Sequence, residues 1–136
     1  MRIKFLILLL FLPSAGSLFA QSKNLSTENG TITFRSEAAL ELIKATSNEL
    51  SGKIDESKHT FAFRVLLRSF EGFNSGLQQI HFNENYLETD QFPEATFSGK
   101  IIEPVDFTKN GKTTIRAKGI LKIHGIEQEK IGRAHV

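Results

Sequence analysis

The chain has 136 residues, and 17 Lys and Arg against 15 Asp and Glu give it a formal charge of +2. Three of the cations, Arg2, Lys4 and Arg133, lie in the two ends, so residues 21–130 carry a formal charge of −1, which argues against a basic nucleic-acid-binding surface. The length fits one domain, and the absence of cysteine excludes disulfides, thiolate metal sites and CxxC redox chemistry.

The first 20 residues have the pattern of an export signal. Arg2 and Lys4 precede and flank an apolar run over residues 5–12, and small residues then lead to Ala20. The run is too short to cross a bilayer as a stop-transfer helix. We therefore expect cleavage near Ala20 and a periplasmic or secreted mature protein that is not integral to the membrane. An uncleaved anchor is the alternative.

The first part of the mature chain predicts a strand followed by a helix. Asn29-Gly30 indicates a turn, and residues 31–36 alternate between apolar and polar side chains as in a strand. Ser36 is a suitable N-cap for a short helix over residues 37–45. The apolar side of that helix would carry Ala39, Leu40 and Ile43.

The centre of the chain predicts a second pair of strands. A weak strand interrupted by glycine is expected over residues 47–54, and a polar turn over residues 55–58. Residues 59–70 then form the clearest alternating segment of the chain. On that segment the apolar residues Phe61, Phe63, Val65 and Leu67 share one face, while Thr60, Arg64 and Arg68 share the other.

A helical segment interrupts the β pattern. Asn74 is suited to cap a helix that begins near Ser75, and Pro93 would prevent any helix from continuing past it. An apolar stripe in this segment contains Leu77, Ile80 and Phe82, and Tyr86 follows it. The segment predicts either a lid over a binding cavity or a structural cap, and the pattern does not decide between them.

Two further strands are expected after the helical segment, over residues 95–101 and 112–125. On the second, Ile115, Ala117, Leu121 and Ile123 share one face. Asn110-Gly111 is the strongest hairpin signal in the chain, and it predicts a turn between that strand and a poor strand over residues 104–109.

Long amphipathic antiparallel strands predict a mostly β fold that closes into an extended barrel with one or two short helices. Closure removes exposed edges and leaves an interior lined by the inward side chains. Residues 21–130 contain nine Phe and no Trp, which predicts broad apolar walls, although such a face is also typical of an ordinary core. Strand alternation assigns the pore lining to Phe34, Phe61, Phe63, Val65, Leu67, Phe97, Ile115 and Leu121.

Two segments together resemble the YceI-like family of exported bacterial lipid-binding proteins. The first contains His81-Phe82, Asp90, Pro93, Ala95-Thr96-Phe97 and Gly99, and the second contains Gly119, Leu121, Ile123, His124 and Gly125. The resemblance implies a lipocalin-like barrel whose pore holds a polyisoprenoid, a quinone or a similar lipid. It covers the chain from about Gly30 onward.

The resemblance also implies that the barrel is incomplete, because family members continue with further strands. Residues 131–136 continue no pattern of the chain and match the translation of a common sequencing adapter. We therefore interpret residues 21–130 as a truncated barrel domain and residues 131–136 as foreign, and we expect an open, C-terminally truncated barrel.

Other functional classes have weaker support. His59, His81 and His124 show no metal-ligand spacing, so no metal and no cofactor are expected. Glu84, Glu88 and Asp90 lie near His81, but no catalytic motif occurs and no enzyme is predicted. The alternative function is a periplasmic interaction or stress-response scaffold without a lipid ligand. A homodimer is possible in either case.

Overall fold

The computed structural model describes residues 24–38 and 41–135. Within these residues six strands form one antiparallel sheet in the order β1-β2-β3-β4-β5-β6. The strands are β1 (Asn24–Ala38), β2 (Glu41–Asp55), β3 (Thr60–Leu66), β4 (Glu94–Ile101), β5 (Thr114–Ile123) and β6 (Ile126–His135). No pairing among the described strands joins β1 to β6, so the sheet is open. The predicted fold class, a mostly β and incomplete barrel with short helices, is confirmed. The predicted export signal lies outside the described residues.

The helix predicted over residues 37–45 is wrong. Most of that segment belongs to a long hairpin, in which Ser36 pairs with Ile43 and Phe34 pairs with Ala45. The segment also has a period of two, with Ala45 buried and Lys44 exposed. A helix of nine residues is marginal on its own, so pairing with β1 outweighs the local preference. Ala39 and Leu40, which the prediction placed on the apolar side of the helix, lie outside the described residues.

The turn predicted at Asn29-Gly30 is a β-bulge within β1. The strand continues on both sides of it, and the pairing with β2 shifts register between Thr27 and Gly30 and again between Gly30 and Ile32. Turns and bulges use the same residue types, because both require a local departure from the regular pleat. β2 is long enough to pair with β1 both before and after the bulge, so the chain continues as one strand and does not turn back.

Two other predicted strands differ from the structure. β3 ends at Leu66, and the chain continues as a 3₁₀ turn over Leu67–Ser69, in which the Ser69 hydroxyl donates to the Leu66 carbonyl at 2.6 Å. Residues 104–109 form no strand but belong to a loop over residues 102–113. β4 therefore pairs directly with β5, with Ile101 opposite Ala117.

A short helix, α1 (Gly76–Ile80), is followed without interruption by a π-helical segment over His81–Tyr86. The N-cap is Ser75, whose hydroxyl accepts from the Gln78 amide at 3.1 Å. Asn74, which the sequence analysis assigned as the cap, instead donates its side-chain amide to the Leu42 carbonyl at 2.9 Å. That bond attaches the start of the helix to β2.

Apolar side chains on the inner face of the sheet form two clusters. The first cluster contains the buried residues Ala45, Val65, Leu67, Phe70 and Phe82. The second cluster contains the buried residues Phe61, Ile101 and Ile115. The clusters occupy opposite ends of the sheet, because β3 and β5 run from the second cluster towards the first.

The strands approach closely at the second cluster. Gly99 pairs with Gly119, and a Cβ atom on Gly99 would lie 2.1 Å from the Lys118 carbonyl oxygen. On the neighbouring strand pair the Phe63 ring lies over Gly52, where a Cβ atom would be 2.2 Å from the ring. Glycines at such positions allow a sheet to bend strongly towards a barrel.

Candidate ligand-binding cavities

The first cavity adjoins the first cluster and has a volume of about 370 Å³. It is lined by Phe34, Ser36, Ile43, Leu67, Phe82, Tyr86, Leu87 and Ile123. None of these described lining residues is charged. Polar side-chain atoms come only from the hydroxyl groups of Ser36 and Tyr86. A volume above about 300 Å³, mostly apolar walls and few polar groups are typical of a small-molecule site.

The helical segment covers this cavity through Phe82. The Phe82 ring is 4% exposed, and its centroid lies 5.7 Å from that of Phe34, 5.9 Å from that of Phe70 and 4.9 Å from that of Phe73. These tilted arrangements are the favoured geometry of aromatic pairs. Phe82 is therefore a core residue that attaches the helical segment to the sheet, and Tyr86, one turn later, lies at the rim.

Hydrogen bonds fix the chain after the π-helical segment. Thr89 is 1% exposed, its amide donates to the Asn83 carbonyl at 2.8 Å, and its hydroxyl lies 3.2 Å from Asn83 Oδ1. The Leu87 amide donates to the Phe82 carbonyl at 3.0 Å. The Asp90 carboxylate pairs with Arg68, just beyond β3. We call residues 76–92 the cap.

The cap also contacts the turn between β5 and β6. His124 and Gly125 form a two-residue turn with φ of 53° and 70°, as in a type I′ hairpin. His124 Nε2 lies 2.6 Å from Glu88 Oε2, and the Phe92 ring centroid lies 4.7 Å from that of His124. Because a carboxylate only accepts, His124 Nε2–H is the donor. Ile123, which precedes this turn, lines the first cavity.

The second cavity adjoins the second cluster and has a volume of about 240 Å³. It is lined by Ile54, Phe61, Phe63, Phe97, Ile101, Ile115, Ala117, Gly132 and Arg133. The loop over residues 102–113 covers this end, because Val105 and Phe107 pack against the second cluster. The Glu103 side chain anchors that loop by accepting from the Arg116 amide at 2.7 Å and from Arg116 Nε at 2.6 Å.

Two other hollows are less suited to an apolar ligand. One, of about 330 Å³, lies within the loop and is bordered mainly by exposed residues such as Asp106 and Lys109. The other is a wide groove on the outer face, bordered by Glu28, Lys53, Arg64 and several hydroxyl side chains. Both are bordered by charged side chains that water already solvates, so the inner-face cavities are the stronger candidates.

Comparison with known proteins identifies the family. The model of the YceI-like domain matches residues 24–131, which is most of the chain. The chain belongs to the YceI-like family. No curated protein sequence matches this YceI-like chain.

Solved structures are similar to this chain. One is "a polyisoprenoid binding domain from Saccharophagus degradans implicated in plant cell wall breakdown", with 15% identity, a TM-score of 0.62, and coverage of 85% of this chain and 67% of that chain. Another is a mutant CJ YCEI protein with a monobromobimane guest, with 13% identity, a TM-score of 0.45, and coverage of 98% of this chain and 61% of that chain. At 15% identity the likeness to the Saccharophagus domain concerns the fold alone.

The structure divides the predicted pore lining of the YceI-like chain between the two ends of the sheet. Phe34 and Leu67 line the first cavity, and the second is lined by Phe61, Phe63, Phe97 and Ile115. Val65 is buried in the first cluster. Leu121 is half-buried on the same face as Ile115 but lines neither cavity. Whether these residues contact a ligand stays a prediction.

The four residues predicted at a lid separate into two pairs. Phe82 and Tyr86 line the first cavity. Leu77 and Ile80 line neither cavity and are 61% and 49% exposed. The predicted apolar stripe is therefore divided, since its later part faces the sheet and its earlier part faces outward. The lid role stays a prediction.

Several cavity residues escaped the sequence analysis. Ile43 was assigned to the wrong helix, although its alternation with Ala45 carried the correct strand signal. Leu87 lies in an irregular segment without periodicity. Ile101 and Ala117 share strand faces with Phe97 and Ile115, and extending the same alternation would have found them. Ile54 is placed at the cavity by its pairing with Phe61, which the pattern of its own strand does not express.

Among the described lining residues of the two cavities, Arg133 at the second cavity is the one charged residue. The pKa of Glu103 is lowered, chiefly because its carboxylate accepts from the Arg116 backbone amide. The pKa of Asp106 is lowered mainly by the Thr108 hydroxyl, and that of Asp55 mainly by the Ser57 hydroxyl.

Within residues 24–38 and 41–135, no group of three or more His, Cys, Asp or Glu is placed to hold a metal ion. Among the helices in those ranges, none has the length and apolarity to cross a membrane.

Proposed function

We propose that this YceI-like protein binds a long apolar lipid, such as a polyisoprenoid or a quinone, on the inner face of its sheet. The observation that carries the proposal is the presence of two apolar cavities on one face, each beside its own buried cluster. The family supports it, and the structurally similar Saccharophagus domain is described as polyisoprenoid binding.

The separation of the cavities favours a long ligand. Leu67, the residue after β3, lines the first cavity and Phe61 the second, and the six residue steps between them correspond to roughly 20 Å at about 3.3 Å per residue. A chain that reaches both cavities buries many methylene groups, each contributing about 0.8 kcal/mol. Affinity then comes from burial, and no catalytic group is needed.

The proposal includes export. The pattern of residues 1–20 supports cleavage near Ala20, which would place the mature protein in the periplasm or outside the cell. The mass of the intact protein recovered from the periplasmic or culture fraction tests this. A mass that retains residues 1–20 would contradict processing, and recovery only from the cytosol would contradict export.

The binding proposal is tested by extracting the purified, exported protein with organic solvent and analysing the extract by mass spectrometry. A discrete isoprenoid or quinone at a near-stoichiometric ratio is expected. Leu87→Trp should reduce the recovered ligand by filling the first cavity. Leu77→Trp is the matched control, because Leu77 belongs to the same cap but lines neither cavity.

An empty protein that also fails to take up added polyprenols would contradict lipid binding and would favour the interaction scaffold. Equal ligand recovery from Leu87→Trp and Leu77→Trp would place the ligand outside the first cavity.

A further inference from the structure

We infer that the ligand enters the first cavity between the cap and the turn that joins β5 to β6, and that a contact of Glu88 and Phe92 with His124 gates this entrance. We call that contact the latch. The inference rests on the proposed function, because it concerns how a ligand reaches the same site. The three residues of the latch are positioning residues, since none of them is among the described residues that line the cavity.

The latch joins two residues that adopt an unfavourable backbone conformation. Glu88 has φ of 45° and His124 has φ of 53°, and among the described residues His59, with φ of 53°, is the one other non-glycine residue with positive φ. This region is disfavoured for residues that carry a Cβ atom, and such residues concentrate at ligand clamps and switch regions. Two of the three therefore meet at one contact between the cap and the sheet.

The conformation of Glu88 brings two groups of the cap onto one imidazole. The Glu88 carbonyl accepts from the Gln91 amide at 2.8 Å and from the Phe92 amide at 2.9 Å, so the chain turns back after Glu88. The Glu88 carboxylate then reaches His124 Nε2 at 2.6 Å, and the Phe92 ring packs on the same imidazole with the centroids 4.7 Å apart. The latch thus depends on the left-handed backbone of both partners.

The latch lies at the wall of the first cavity. Leu87, which precedes Glu88, and Ile123, which precedes His124, both line that cavity. Separation of Glu88 from His124 would therefore move the cap wall at Leu87 away from the sheet wall at Ile123. Such an opening widens the cavity on the side of β5 and requires no change in the pairing of the strands.

The part of the cap that carries the latch is a loop with two fixed ends. At one end the Phe82 ring is buried among other aromatic rings. Just past the other end the Pro93 carbonyl accepts from the Leu67 amide at 2.9 Å. Residues 83–92 can therefore move away from the turn while both ends of the loop stay attached to the sheet.

Water competes for the polar contacts of this loop. The side chains of His124 and Glu88 are 33% and 42% exposed. The second ion pair of the loop, between Arg68 and Asp90, is more exposed still. Exposed pairs contribute little net free energy, and the left-handed backbone at Glu88 and His124 further opposes the closed form. The closed latch is therefore only slightly favoured, which suits a gate that opens and closes during binding.

The experiment measures binding rates, which a gate alters and a merely structural residue does not. The full protein is mixed with an uncharged fluorescent probe, N-phenyl-1-naphthylamine, in a stopped-flow instrument, and release is followed after a chase with excess geranylgeraniol. His124→Asn removes the imidazole but leaves an Asn-Gly turn, which suits a type I′ hairpin. We expect uptake and release each to become roughly 3- to 10-fold faster, the factor for one lost hydrogen bond, while the equilibrium affinity changes little.

His59→Asn is the matched control, because His59 has the same φ but lies in the turn between β2 and β3, at the other end of the sheet. It should leave both rates unchanged. Leu87→Trp, which fills the first cavity, identifies the part of the fluorescence signal that comes from that cavity.

A cross-link tests the gate in the opposite direction. The chain has no cysteine, so the pair Glu88→Cys and His124→Cys can be joined selectively by a short bis-maleimide. The cross-link should slow uptake and release by roughly tenfold or more relative to the same pair left open, because the cap then stays closed.

Unchanged rates in His124→Asn, or equal changes in His124→Asn and His59→Asn, would overturn the inference while leaving lipid binding intact. Faster release without faster uptake would also overturn it, because the imidazole would then act on the bound ligand. Equal uptake by the cross-linked and the open pair would place the entrance elsewhere and overturn it too. A parent protein that takes up neither N-phenyl-1-naphthylamine nor geranylgeraniol would contradict the proposed function, and the inference with it.

Discussion

The two ends of the inner face differ in what covers them. The first cavity lies under the cap, which is fixed by aromatic packing of Phe82 and by hydrogen bonds to Thr89 and His124. The second lies under an irregular loop that contributes Val105 and Phe107 and is anchored through Glu103. Similar apolar walls therefore carry different covers, because the sheet supplies the walls and the connecting segments supply the rim.

This difference separates affinity from specificity. Apolar walls at both ends favour any long hydrocarbon chain, since burial is not directional. On the proposed function, the hydroxyls of Ser36 and Tyr86 at the first cavity are the groups that can distinguish one ligand from another. The cap and the loop can be tested separately, because each is attached to the sheet by different residues.

The largest expected difference concerns the aromatic side chains of the two covers. Phe82→Ala should lower the free energy of unfolding by about 3–5 kcal/mol, since it empties a buried site in the first cluster. Phe107→Ala should cost only about 1–2 kcal/mol, because Phe107 is partly buried and covers the second cluster from a loop. Urea denaturation measures both. Equal losses would show that the loop is as integral to the core as the cap.

The turn that contacts the cap should be the next most sensitive position. Gly125 has φ of 70°, and a Cβ atom there would lie 2.8 Å from the Phe92 ring. Gly125→Ala should lower the free energy of unfolding by about 1–2 kcal/mol from the left-handed backbone alone. Gly72→Ala, at a position with φ of 85° and open space around it, separates the backbone cost from the contact. A loss no larger than that of Gly72→Ala would mean that Phe92 moves aside freely.

The contact between His124 and Glu88 should affect the cap more than global stability. Glu88→Gln replaces a charged acceptor and should lower the free energy of unfolding by about 1 kcal/mol or less. It should also speed amide hydrogen exchange at Thr89, whose amide bonds to Asn83 in the same segment. Glu84→Gln is the matched control on the cap. Unchanged exchange at Thr89 would show that this contact does not hold the cap.

The smallest effect concerns pH and the loop. Because the folded pKa of Glu103 is lowered from 4.5, its ionised form stabilises the fold. That contribution is fully present above about pH 4.5 and is lost as the pH falls through the lower folded pKa. Thermal unfolding between pH 3 and pH 6 should show a shallower acid decline for Glu103→Gln than for the parent. An identical decline would mean that the carboxylate contributes nothing, and Glu28→Gln serves as the control.

The strands that were predicted correctly are those whose alternation continues over most of their length. Phe61, Phe63 and Val65 share the inner face as predicted, because the period of two is a property of the strand itself. The ends of these strands were less predictable. β3 stops at Leu66, where the Ser69 hydroxyl closes a turn onto the Leu66 carbonyl. That hydroxyl also lies 2.6 Å from the hydroxyl of Ser47 on β2, a contact between residues far apart in sequence that a local pattern does not express.

The sequence by itself determined the family, the mostly β class and the apolar face that lines both cavities, since all three depend on local pattern and residue type. Only the tertiary structure decided that residues 41–45 extend β2, that Phe82 is core while Leu77 is exposed, and that Ser36 and Tyr86 meet at one cavity. Those outcomes depend on strand pairing and on the side from which the cap packs. Such contacts join residues far apart in the chain, and their free energy exceeds the small local preferences that a pattern can express.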